Sequence, residues 1–129
     1  GRVILAIRQA ANNTCYQLFL QDSVATLSWH DSTNGSITKG SAVSLDEWHL
    51  AVFTIASGTL TIYLDGNSLG TSSVDERSAN DAGVSFGQTG FNTAEEFAGL
   101  IDDTAIFDRA WTSDEVTTYW NGGAGMLFN

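Results

Sequence analysis

The sequence predicts an all-β protein whose strands form a sandwich or a barrel, with one short helical turn near the C-terminus. Short segments of β-favouring residues, about eight in all, alternate with clusters of turn residues. The chain has 13 glycines and no proline, so its turns depend on Gly, Asn, Asp and Ser. Its 129 residues, 43% of them hydrophobic, suffice for one domain with a packed core.

The charge of the chain excludes several classes of partner. Five basic and fifteen acidic residues give a formal net charge of −10, which repels nucleic acid and anionic lipid surfaces.

No apolar run approaches the roughly 20 residues that a membrane-spanning helix needs. Cys15 is the only cysteine, so no internal disulfide can form. We therefore expect a folded domain that binds no nucleic acid and has no membrane span.

The first half of the chain predicts four strands. Residues 3–7 (VILAI), 16–20 (YQLFL) and 25–30 (ATLSWH) are rich in β-favouring residues, and DSTNG at 31–35 is typical of a turn. Residues 47–55 (EWHLAVFTI) form a long apolar run, which favours a strand buried on both faces.

The second half predicts a hairpin, two further strands and the helix. TLTIYLD at 59–65 alternates apolar and polar residues, and Asp65 and Gly66 then form a turn of the primed type, from which residues 67–72 lead back. Further strands are predicted at 84–87 (VSFG) and 99–108 (GLIDDTAIFD).

Residues 113–120 (SDEVTTYW) predict the helix. Thr112, just before the helix, and Glu115, within its first turn, have the spacing of a capping box. The sequence Asn-Gly-Gly at 121–123 predicts its end, and Trp120 is expected to anchor it on a sheet.

Three segments, in order, resemble the laminin-G-like, concanavalin A-like jelly-roll family. WHLAV at 48–52 is similar to the family's Trp-His-x-Val-Ala strand, and GTLTIYLDG at 58–66 to its Gly-x-Leu-x-Leu-Tyr-Val-Asp-Gly hairpin. FAGLIDDTAIFDRAWTSDEV at 97–116 resembles the family's ending. The resemblance implies a two-sheet antiparallel jelly-roll sandwich formed by a single domain over residues 1–129. Family members usually begin with one or two further strands, so we expect that this domain lacks its first strands or belongs to a longer chain. A sheet edge is then left for another chain or segment to pair.

The resemblance also suggests a metal site. Jelly-roll domains of this kind often hold a structural Ca²⁺ near the first acid of the strand that 99–108 resembles. Calcium binds six to eight oxygen ligands, so Asp102 and Asp103 are the candidates. The alternative is an acid pair exposed on a strand edge.

Exposed aromatic residues predict a weak ligand site. Sugars stack on aromatic rings while acids and amides bind their hydroxyl groups, which favours a rim of Trp29, Asp31 and Asn34. Tyr63, on the polar side of its strand, is the other aromatic candidate. The alternative for Trp29 is a place in the core, where we also expect Trp48. His49 has no Ser, Cys or paired acid close to it in sequence that would form a relay.

The function that the resemblance implies is recognition without catalysis. We expect a recognition or adhesion module that binds glycans or a protein surface, located outside the cell or on the exposed surface of a cell or virion. The alternative is a structural domain of a larger assembly, such as a virion decoration or fibre protein, that contacts other chains. A glycosidase is disfavoured because Glu95 and Glu96 are adjacent and would point to opposite faces of a strand.

Overall fold

Two antiparallel sheets make up the protein in a computed structural model that describes residues 2–9, 16–21, 26–31, 35–74, 82–88 and 96–125. The strands are β1 (Arg2–Gln9), β2 (Tyr16–Gln21), β3 (Thr26–Asp31), β4 (Gly35–Ala42), β5 (Ala51–Ala56), β6 (Thr59–Leu64), β7 (Asn67–Ser73) and β8 (Ala82–Phe86). The five-stranded sheet has the order β4-β3-β2-β1-β8, and the three-stranded sheet has the order β5-β6-β7. This confirms the predicted all-β, two-sheet architecture.

The core lies between the sheets and centres on Trp29 of β3. Trp29 is fully buried, and its ring centroid lies 5.1 Å from that of Tyr16 on β2 and 4.4 Å from that of Phe53 on β5. Leu60 and Ile62 of β6 are 1% and 0% exposed, as their alternation with polar residues predicts. Because Trp29 and Phe53 belong to different sheets, this aromatic contact joins the two layers.

The hairpin turn at Asp65 and Gly66 is confirmed in detail. Both residues have positive φ, 52° and 80°, as a primed two-residue turn requires. A Cβ atom at Gly66 would lie 3.1 Å from Cδ1 and 3.2 Å from Cβ of Trp120, so a side chain does not fit there without a shift. Because glycine has no side chain, the helix can approach the turn closely at Gly66.

The C-terminal helix α1 (Ser113–Trp120) is also confirmed, with both bonds of its capping box. Thr112 Oγ1 accepts from Glu115 N at 3.2 Å, and Glu115 Oε2 accepts from Thr112 N at 2.8 Å. Arg109 donates two hydrogen bonds to the same carboxylate, at 2.6 and 2.9 Å. The Arg109 guanidinium, followed by the Thr112 backbone, lowers the pKa of Glu115 to about 2. The helix ends where Asn121 adopts a left-handed conformation.

Three predictions about strands were wrong. Strand β4 was not predicted, because its sequence, GSITKGSA, is polar. It forms a strand through its pairing with β3. The segment 47–55 is not a strand buried on both faces: β5 begins only at Ala51 and is half-buried through Ile55. Residues 99–108 form no strand, because no neighbouring strand pairs with them among the described residues. Leu100, Ile106 and Phe107 of this segment are exposed.

We expect Gly66→Ala to lower the free energy of unfolding by about 1–3 kcal/mol, since alanine is strained at positive φ and its Cβ would press on Trp120. Chemical denaturation followed by tryptophan fluorescence measures the change. Gly83→Ala is the matched control, because nothing lies within 4 Å of a Cβ there and no positive φ is required. Equal effects of the two substitutions would contradict the proposed role of Gly66.

Candidate recognition site

A network of polar side chains fixes the segment between β4 and β5, residues 43–50, which we call the 43–50 loop. Ser44 Oγ lies 2.9 Å from His49 Nε2, and His49 Nδ1 lies 2.7 Å from Asp65 Oδ2. The other carboxylate oxygen of Asp65 accepts from Leu50 N at 2.9 Å. Asp65 N in turn donates to Leu50 O at 2.9 Å. The loop is therefore tied at its end to the β6–β7 turn.

This network was missed from the sequence. The sequence was taken to offer no Ser, Cys or paired acid close to His49, yet Ser44, five positions before His49, and Asp65, 16 positions after it, both lie within hydrogen-bonding distance. The sequence did offer one indication of this contact, because His49 lies in the first of the three family-like segments and Asp65 lies in the second. Only the β5–β6 pairing, which places Ala51 opposite Leu64, brings the two together.

The contacts of this network extend to the exposed part of the loop. Ser44 Oγ also donates to Glu47 Oε2 at 2.8 Å. The two ring nitrogens of His49 contact Ser44 Oγ and Asp65 Oδ2, and the tautomer of the ring sets which of them donates. The side chains of Glu47, Ser44, His49 and Asp65 are therefore joined in one chain of contacts.

The order Ser-His-Asp is that of a hydrolase triad, in which the serine passes its proton to a neutral histidine. In the network seen here Ser44 Oγ donates to Glu47 Oε2 and also lies 2.9 Å from His49 Nε2. The contacts join the loop to Asp65 of the β6–β7 turn and so hold it in place. Because Ser44 and Glu47 are exposed, the loop holds one hydroxyl and one carboxylate group at the surface, where a ligand can reach them.

Trp48 is the aromatic residue that this loop presents to solvent. Its side chain is 61% exposed, and Leu45 of the same loop is 74% exposed. The expectation that Trp48 lies in the core was therefore wrong. The reason is that Trp48 precedes the first paired residue of β5, so no strand pairing directs it between the sheets.

The aromatic residues predicted to be exposed are buried instead. Trp29 is 0% exposed, which confirms the alternative that it lies in the core, whereas the expectation that Tyr63 is exposed was wrong because Tyr63 is 6% exposed. Trp29 points between the sheets because its neighbours Leu27 and Tyr16 also face the core, and its indole N–H has no hydrogen-bond partner within the described part of the chain. Asp31 ends β3, but its side chain, like the whole of Asn34, lies outside the described residues.

Asp102 and Asp103 are exposed, and their geometry supplies only part of a metal site. Asp102 Oδ1 accepts from Asp103 N at 2.9 Å, and Asp103 has a positive φ of 49°. Burial, and then the charges of Asp103 and Asp102, raises the pKa of Tyr119, so both acids lie near that ring. Among the described residues, no three His, Cys, Asp or Glu side chains come together as metal ligands. Calcium at this pair stays a prediction.

Trp120 anchors the helix, as predicted, through its contact at Gly66. Thr117 adds to this attachment, because its hydroxyl proton is shared between Gly66 O at 3.0 Å and Ser113 O at 2.9 Å. Within the part of the chain that the structure describes, no helix has the length and apolar character needed to cross a membrane.

Comparison with known proteins gives one family and one solved structure. A family model described as "Concanavalin A-like lectin/glucanases superfamily" matches residues 1–117. An S-layer domain-containing protein from Clostridium thermocellum matches with 21% identity and a TM-score of 0.46. That match covers 88% of this chain and 60% of the other, so the chain spans less than two thirds of the matched structure. No curated protein matches the chain.

We expect Asp65→Asn to lower the free energy of unfolding by about 1–2 kcal/mol, because it removes the charge that His49 and Leu50 N bind. Thermal and urea denaturation measure the change. Asp46→Asn is the matched control, since Asp46 is an exposed acid of the same loop, also at positive φ, and Asn tolerates that conformation. If Asp46→Asn lowered the free energy of unfolding as much as Asp65→Asn, the loss of a negative charge, and not the loss of the network, would explain the effect.

If Asp102 binds calcium, then adding calcium raises the melting temperature, and a chelator reverses the rise. Asp102→Asn should abolish the shift, whereas Asp108→Asn, another exposed acid of the same segment, should preserve it. Differential scanning fluorimetry with and without calcium makes the measurement. An unchanged melting temperature of the unmodified protein would exclude the site.

Proposed function

We propose that this chain, which belongs to the concanavalin A-like lectin/glucanase superfamily, is a recognition module that binds neutral glycans through the 43–50 loop. The observation that carries the proposal is the exposed Trp48 on a loop held by the Ser44–His49–Asp65 network. An aromatic face of this kind stacks on the apolar face of a sugar ring. The module is proposed to work without catalysis and outside the cell or on an exposed cell surface.

The fixed loop supports this function energetically. Ordering a loop on binding costs free energy, and a loop that is already held avoids most of that cost. Ser44, Asp46 and Glu47 are exposed around Trp48 in the sequence, and their hydroxyl and carboxylate groups are suited to bind sugar hydroxyls. The net charge of −10 disfavours acidic polysaccharides, so the ligand class is neutral.

A glycan array with neutral and acidic sugars tests the proposal. We expect saturable binding to a neutral glycan, and Trp48→Ala should weaken it at least tenfold, as is usual for an aromatic anchor at the centre of a contact. Isothermal titration calorimetry with the identified glycan gives the affinity.

Leu100→Ala is the control for this substitution, because Leu100 is 80% exposed and lies outside the 43–50 loop. It should leave the affinity unchanged. Binding that survives Trp48→Ala would contradict the proposed site, and the absence of binding to any glycan would contradict the function.

A second candidate function is a structural role in a larger assembly, such as a virion decoration or fibre protein. It is favoured by the exposed apolar side chains of Leu100, Ile106 and Phe107, which are 80%, 57% and 45% exposed. Apolar residues grouped in one exposed segment are typical of contacts with other protein chains. In this role the partner is a protein, and Trp48→Ala has no effect on it.

A further inference from the structure

The end of helix α1 depends on the backbone and the side chain of one exposed residue, Asn121. Its φ and ψ are 49° and 41°, a left-handed conformation, and its N–H donates to Thr117 O. Its side-chain Nδ2 donates to Gly125 O at 3.1 Å, and Gly125 N donates to Trp120 O at 3.3 Å. Asparagine tolerates the left-handed conformation better than most residues other than glycine. The Asn121 amide therefore helps to hold the chain where the helix ends.

The residue that follows Asn121 makes this amide chemically reactive. Gly122 has no side chain to shield its backbone nitrogen, and a Cβ atom placed there would have no other atom within 4 Å. Both residues are exposed, so water and base can reach the peptide bond between them. Glycine also changes backbone conformation more freely than other residues, so the local change that brings its nitrogen to Cγ of Asn121 meets little resistance. Attack at that carbon closes a five-membered ring.

We propose that Asn121 is a site of spontaneous deamidation, with water as the co-reactant. The Gly122 nitrogen gives its proton to base and bonds to Cγ of Asn121, and the side-chain nitrogen takes up a proton and leaves as ammonia. Water then opens the succinimide ring. When the new bond from Cγ to nitrogen breaks, residue 121 becomes aspartate. When the original peptide bond breaks instead, it becomes isoaspartate, and the main chain runs through Cγ.

Deamidation removes the group that holds the end of the helix. A carboxylate has no proton to donate, so the hydrogen bond to Gly125 O is lost. The new negative charge also lies at the C-terminal end of α1, where the helix dipole favours cations. In the isoaspartate product the main chain is one atom longer, which disrupts the left-handed cap. Because the neighbouring Trp120 packs at Gly66, the modification loosens the attachment of the helix to the β6–β7 turn.

Asp65 and Gly66 form a second pair that could close the same ring, and the structure opposes the reaction there. Both carboxylate oxygens of Asp65 are engaged, Oδ2 at 2.7 Å from His49 Nδ1 and Oδ1 at 2.9 Å from Leu50 N. These contacts lie outside the turn and hold the carboxylate in place. We therefore expect isoaspartate at residue 121 of the folded protein and none at residue 65.

Peptide mapping by mass spectrometry tests the proposal on the folded protein, incubated in mildly alkaline buffer at physiological temperature. With time, the peptide that contains residue 121 should gain the mass difference between a hydroxyl and an amino group. An assay with an isoaspartate-specific methyltransferase quantifies the second product. Asn67 is the internal control, because it lies in β7 and is followed by serine, and it should stay unmodified. A sample unfolded in urea gives the rate without the helix cap.

Differential scanning fluorimetry on the same samples measures the consequence for the fold. The melting temperature should fall by about 2–5 °C as the modified fraction rises. Asn121→Gly is the matched control, because glycine adopts the left-handed conformation and has no amide to react. Its melting temperature should not change during the incubation. Asn121→Asp should show the lowered melting temperature from the start.

Three outcomes would overturn the proposal. Residue 121 of the folded protein could keep its mass over a period in which the urea-unfolded chain is converted, which would show that the helix end protects the amide. The melting temperature could stay constant although residue 121 is modified, which would show that the amide does not hold the helix. Asn121→Gly could lose stability with time as the original chain does, which would place the damaging change at another residue.

Discussion

The turn formed by Asp65 and Gly66 is the constraint on which the arrangement of the loop and the helix depends. On one side, the Asp65 carboxylate binds His49 and Leu50 N and so holds the 43–50 loop. On the other side, the absent side chain of Gly66 leaves room for Trp120, and its carbonyl accepts from Thr117. Two residues in a turn of the three-stranded sheet thus connect the loop and the helix, which are distant from each other in sequence.

The same turn relates stability to the proposed function. A recognition loop without regular structure gains affinity when its conformation is set before the ligand arrives. Here the conformation is set by hydrogen bonds to a charged carboxylate, which are stronger than those between neutral groups. The network therefore explains how an exposed Trp48 is presented by a loop rather than by a strand.

The tertiary structure decides the places of two tryptophans. Trp29 precedes a polar turn, and the sequence left both a surface site and the core open for it; its ring joins the two sheets between Tyr16 and Phe53. Trp48 begins an apolar run and suggested the core, yet it lies before the first paired residue of β5 and is exposed. The proposed glycan contact is therefore a tryptophan that the local pattern had assigned to the interior.

The sequence by itself determined the features that depend on neighbouring residues. The alternation of residues 59–65, the turn at Asp65 and Gly66, the capping box of Thr112 and Glu115 and the family resemblance all hold in the structure. Only the tertiary structure decided the features that need a distant partner. Pairing with β3 makes a strand of the polar segment Gly35–Ala42, whereas residues 99–108 pair with none of the described strands and form none themselves. Pairing of β5 with β6 brings His49 to Asp65. The physical reason is that a turn or a cap closes its hydrogen bonds within a few residues, whereas a strand and a side-chain network depend on groups that folding brings together.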